Sequence, residues 1–136
     1  DKVIRMCLIH DLGEAFTGDI PAFEKHEGHR EAEEAALEAW VAGLPEPYGE
    51  ELAALFCEMQ AMQSLEAKIY KALDNLEAVI QHNESDIATW LPLEYDLQLT
   101  YGADKVAFSP YLTLLKAEID RWTRRKIEEA EPHGEA

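Results

Sequence analysis

Four ionisable side chains, His10, Asp11, Glu14 and Asp19, fall within ten residues at the end of the apolar run Val3-Ile4-Arg5-Met6-Cys7-Leu8-Ile9. A neutral imidazole beside a carboxylate offers one divalent cation two ligands of complementary hardness. Glu14 stands one helical turn beyond Asp11, and Asp19 follows the break at Gly18 and can turn back toward the same spot. A histidine at the end of an apolar helix also reads as a core residue satisfied by one hydrogen bond. The adjacent Asp11 tips the balance, because a carboxylate withdrawn from water without a cation or a donor is costly.

A second carboxylate, Asp74, sits in the segment Glu66-Ala67-Lys68-Ile69-Tyr70-Lys71-Ala72-Leu73-Asp74-Asn75-Leu76-Glu77-Ala78-Val79-Ile80-Gln81. One reading makes it half of an intrahelical ion pair with Lys71 or Lys68. The apolar neighbours Ala67, Leu73, Leu76, Ala78 and Val79 point instead to limited water and a ligand role.

Taken together, the two segments resemble the HD-domain metal-dependent phosphohydrolases, and most closely the branch acting as 5'-deoxynucleotidases on nucleoside monophosphates. That family binds one divalent metal through an upstream His, a His-Asp pair and a distant helical Asp. His10, Asp11 and Asp74 match the last three positions. No His precedes His10 in this chain, so the resemblance implies an N-terminally shortened domain lacking the first ligand. It covers residues 3 to 130 or so. It further implies Glu14 and Asp19 as the groups that orient water, protonate the departing ribose oxygen or hold a second cation near Glu14. Hydrolysis of a phosphate ester needs such groups beside a cation. Lys71 becomes a candidate phosphate contact. The implied metal is a transition ion (Mn, Co, Fe or Zn, with Mg also compatible), and small proteins of this branch are expected to form homodimers. Glu58 falls at a family position, yet Cys57, Met59 and Gln60 replace the acidic and tyrosine residues usual there, which weakens any site role.

The elements needed to position these residues are all helical. Apolar spacing predicts helices over residues 2–15, 28–42, 50–61, 66–82 and 110–129, with residues 47–49 as a loop and Ser64 as an N-cap. Gly18 and Pro21 mark the first turn, Gly43 and Pro45 the second. Residues 83–101 read as a loop leading into a short helix. No stretch alternates as a strand would, so the fold class is all-α, an HD-domain bundle of five to six helices. Residues 1–130 are expected to form one domain, with 131–136 as a polar tail.

Twenty-eight acidic residues against twelve Lys and Arg leave a net charge of −16. A nucleic-acid polymer is therefore excluded as partner, while a small nucleotide held through a metal is compatible. No apolar run approaches the length of a membrane span, and the first residues lack a signal-peptide pattern. Cys7 and Cys57, without CxxC spacing, are expected as buried thiols in a reducing cytoplasm. His26 and His29 among glutamates, and His82 beside Asn83, Glu84 and Asp86, resemble weak metal clusters. They read better as a solvated loop and as a helix-terminal cation. The aromatics Trp90, Tyr95 and Tyr101 are expected in the core or at a dimer interface spanning residues 90–111. The sequence supports, as alternatives to a nucleoside-monophosphate hydrolase, an HD phosphohydrolase on another nucleotide or a non-catalytic helical interaction protein.

Overall fold

The computed structural model describes residues 1–20 and 26–130. Pro21 and the tail at 131–136 thus lie outside the described residues. Among those described there is no strand. The helices are α1 (Lys2–Ile9), α2 (Glu14–Thr17), α3 (Glu27–Ala42), α4 (Tyr48–Ala61), α5 (Leu65–Glu84), α6 (Pro92–Thr100), α7 (Ala103–Val106) and α8 (Pro110–Ala130), with a 3₁₀ turn at Ile87–Thr89. Two of them, α2 and α7, are single turns, which leaves six full helices. The all-α expectation holds.

Three boundaries differ from the sequence reading. The expected helix over 2–15 ends at Ile9, because the following amides reach back three residues instead of four: Leu12 to Ile9, Glu14 to Asp11 and Phe16 to Gly13, each at 3.0 Å. The chain keeps a right-handed course but tightens into 3₁₀ geometry, which pattern spacing does not distinguish from α. Second, α4 starts at Tyr48, so only Pro47 of the expected loop at 47–49 is outside a helix. Third, residues 83–101 are mostly helical, and Glu94 on α6 reaches back to the amide of Leu91 at 2.5 Å as an N-terminal cap.

The chain divides into two compact units, Asp1–Tyr70 and Lys71–Ala136. In the first, Val3, Met6 and Cys7 of α1 form one helical stripe that meets Leu55, Phe56 and Met59 of α4 and Ala67 and Tyr70 of α5. Ser64 opens α5 as expected, its hydroxyl accepting from the Ala67 amide at 3.1 Å. In the second unit, α5 contributes Ala72, Leu76 and Val79, and α8 contributes Leu112 and Ile119, to a core closed by Val106.

Each of these stripes continues into a buried polar residue. Asn83 of α5 donates to the Thr123 hydroxyl of α8 at 2.9 Å, and Gln98 of α6 donates to Asn83 Oδ1 at 3.2 Å. Lys116 of α8 is buried with Asp120, and its ammonium also donates to the Leu99 carbonyl at 3.2 Å, satisfying the C-terminal end of α6. Three helices are tied by groups that cannot remain unpaired away from water. Thr123 is fully buried. Thr123→Val keeps the shape but strips Asn83 of a partner, so stability should fall by about 1–3 kcal/mol. A urea midpoint unchanged from the parent chain would contradict this.

Candidate functional site

His10 continues the stripe of Val3, Met6 and Cys7, at positions i, i+3, i+4 and i+7, and so ends α1 half-buried against the core. Its ring lies 6.4 Å from that of Tyr70 on α5, tilted by 53°. Nδ1 is 2.7 Å from the carbonyl oxygen of Cys7. A carbonyl can only accept, so Nδ1 carries the proton, and in the neutral ring Nε2 presents a lone pair. Asp11 Oδ2 lies 3.1 Å from that nitrogen. A lone pair facing a carboxylate is unfavourable unless a proton or a cation stands between them. This donor set therefore fits a divalent metal, with the carbonyl orienting the imidazole as backbone groups do in metal sites.

The Asp11 side chain is 63% exposed, contrary to the sequence expectation of a carboxylate withdrawn from water. The tightened turn after Ile9 swings it off the buried stripe, and the case for a cation rests on His10 instead. Glu14 opens α2, half-buried, with its amide bonded to the Asp11 carbonyl at 3.0 Å. It remains one turn from Asp11, as expected. Asp19 follows Gly18 and is exposed.

Asp74 belongs to the second unit. Lys71 donates to its Oδ2 at 2.7 Å, so the intrahelical pair is present. Of its apolar flank, Leu76 and Val79 are buried but Leu73 and Ala78 are exposed. The neighbouring helical stripes alternate too quickly for all four to share one side. Among the described residues, no group of three or more His, Cys, Asp or Glu side chains is arranged to hold a metal ion. Of the expected ligands, the structure brings His10 and Asp11 together as a pair.

The weaker clusters of the sequence resolve as structural. Asn83 is spent on Thr123, Asp86 caps the 3₁₀ turn by accepting from the Ala88 amide at 2.9 Å, and the His82 ring stacks on Trp90 at 4.5 Å. His26 stacks on His29 at 3.6 Å; Glu24 of that cluster lies outside the described residues. Trp90 is buried beside Tyr95 and is core, not interface. Cys57 is exposed and Cys7 half-buried, and neither forms a disulfide, so the expectation of two buried thiols fails at Cys57.

A family model described as an HD domain matches residues 1–115. The human protein named 5'-deoxynucleotidase HDDC2 is 34% identical over 140 aligned positions, which cover 98% of this chain and 67% of the human one. The mouse protein of the same name is 41% identical over 87 positions, covering 62% of this chain and 43% of its own. In Schizosaccharomyces pombe, a protein named 5'-deoxynucleotidase hdd1 is 30% identical over 87 positions, 60% of this chain and 44% of its own. The matched region thus spans less than half of the mouse and yeast relatives. No solved structure matches the chain.

Glu58, the family position with altered neighbours, is a tie within the first unit. Its carboxylate accepts from the Ser64 hydroxyl at 2.6 Å and from Lys2 Nζ at 3.0 Å, joining α4 to the cap of α5 and to α1. The Ser64 hydrogen bond, followed by that of Lys2, holds this carboxyl below the ordinary value of about 4.5. A carboxyl depressed in the folded state contributes stability above its unfolded value and loses it as pH falls through the folded one. Glu58→Gln should therefore flatten the decline of melting temperature below about pH 5. Superposable acid limbs for variant and parent would rule the tie out.

Proposed function

Because the chain belongs to the HD-domain family, we propose that it is a metal-dependent phosphohydrolase that cleaves deoxynucleoside 5'-monophosphates to nucleoside and phosphate. The observation that carries the reading is the His10 ring, which donates from Nδ1 to the Cys7 carbonyl and directs Nε2 at the Asp11 side. The names of the human, mouse and yeast relatives suggest the substrate class. We take residues 1–130 as one HD domain, in keeping with a family match that runs through both compact units.

His10, Asp11 and Asp74 are our ligand set for one divalent ion of the Mn, Co, Fe or Zn type. Ala67, Tyr70 and Asp74 lie at i, i+3 and i+7 on α5, the spacing of one helical face. When bound, such an ion neutralises phosphate oxygens and makes water a nucleophile near neutral pH. Glu14, half-buried at the start of α2, orients that water and accepts its proton. Asp19, on the exposed chain after Gly18, helps to position that water and passes a proton taken from solvent to the departing ribose oxygen. Lys71, beside Asp74, offers its ammonium to a phosphate oxygen. Lys71 also steadies the Asp74 carboxylate before the ligand arrives.

No helix among the described residues is long and apolar enough to cross a membrane, and we place the protein in the cytoplasm. We further read it as a homodimer. Of the aromatic-rich stretch, Leu91, Leu93, Leu97, Phe108 and Tyr111 are exposed and available as an interface, whereas Trp90 is not.

Two variants separate ligand from catalyst. Asp11→Ala in the full-length protein should abolish both bound Mn²⁺ and turnover. Asp19→Ala should keep the metal while kcat on deoxynucleoside 5'-monophosphates falls about 10²- to 10⁴-fold. Retention of parental turnover by Asp19→Ala would return Asp19 to a turn residue, and an Asp11→Ala protein with full metal content would remove the proposed site. Light scattering at micromolar concentration should give twice the chain mass; a monomer mass refutes the dimer.

A further inference from the structure

Gly13 lies between Asp11 and Glu14 with φ −60° and ψ −34°, dihedrals that any L-residue adopts. Its backbone does not require glycine, and glycine at helical dihedrals is disfavoured relative to alanine. Space requires it. A Cβ on Gly13 would stand 2.6 Å from Cγ of Glu33 and 2.9 Å from its Oε1. Contacts this short do not occur between unbonded carbons, so the Glu33 stem rests on the bare Cα of Gly13. Gly13 is buried and Glu33 half-buried where α2 packs on α3.

The turn under that side chain is the one that carries the candidate ligands. Its amides bond three residues back, with the poorer geometry of a 3₁₀ ladder. The Asp11 side chain is mostly in solvent and gains no orientation from packing of its own. The backbone of the turn sets where the Asp11 and Glu14 side chains leave the chain, and α3 packs against that backbone at Gly13. We propose that Glu33 is a positioning residue: seated on Gly13, it holds the turn that bears His10, Asp11 and Glu14 in the orientation that cation binding needs. This deepens the reading of that turn as a cation site and rests on it.

The pair can be tested as a double-mutant cycle, because an alanine methyl at residue 13 and the Glu33 stem claim the same volume. Mn²⁺ titrations of the full-length protein would compare Glu33→Ala, Gly13→Ala, the two combined, and Glu33→Gln. Either alanine variant alone should weaken Mn²⁺ binding by about 10- to 100-fold, the usual loss when an outer-shell support is removed. Combined, they should be no weaker than the worse single. Glu33→Gln keeps the stem and should bind as the parent does. Independent losses, or parental affinity in Glu33→Ala, would overturn the proposal. Hydrogen exchange on metal-free protein gives a second readout: Glu33→Ala should speed exchange at the amides of Leu12, Glu14 and Phe16 and spare the interior of α1. Unchanged exchange there overturns the positioning role. A parent protein that binds no Mn²⁺ at all would instead remove the cation site, and the exchange rates would still decide whether Glu33 holds the turn.

Discussion

A carbonyl oxygen has no proton to give, and the 2.7 Å contact between Cys7 O and His10 Nδ1 therefore dictates the chemistry available at the end of α1. The ring cannot rotate freely, its proton is on the inner nitrogen, and Nε2 faces Asp11. Everything upstream serves this one contact. Val3, Met6 and Cys7 bury their stripe against α4 and α5, which fixes the height of the Cys7 carbonyl, and the ladder tightens just beyond it. A shift of one residue in that stripe would turn the imidazole toward solvent.

The supports around this turn differ in kind. Behind it, the apolar stripe of α1 works through burial, at roughly 25 cal/mol for each Å² removed from water. Beside it, Glu58 links α1, α4 and the cap of α5 through a carboxylate that remains accessible to water, so its contribution is modest and pH-dependent. Above it, Glu33 packs on a glycine by shape. In the second unit the corresponding role falls to Asn83, Gln98 and Thr123, where the penalty for an unpaired buried group makes the contacts mutually dependent.

Charge frames the functional reading. A chain carrying −16 repels a nucleotide dianion at long range, though salt at physiological strength screens this beyond about 8 Å. Within that distance the anion needs a local positive charge. Asp74 partly offsets the charge of Lys71, and Asp11 adds a further carboxylate beside His10. A divalent ion reconciles an acidic protein with a phosphate ester, since it satisfies the carboxylates and the substrate at once.

Much of this was legible in the residues alone. The helical class, the N-cap at Ser64, the helix closed at Gly43 and the grouping of His10, Asp11 and Glu14 all follow from periodicity and local hydrogen-bonding preferences, which act within a turn or two of chain. The family came from the resemblance of the His10-Asp11 and Asp74 segments, not from periodicity. Tertiary structure decided the rest, because it depends on which distant atoms compete for the same space or the same proton. No spacing rule announces that the ladder tightens after Ile9 and turns Asp11 outward, that Trp90 is buried while Cys57 is exposed, or that Glu58 is claimed by Lys2 and Ser64. Nor does a lone glycine in an acidic motif disclose that Glu33, twenty residues on, fills the space a side chain there would take.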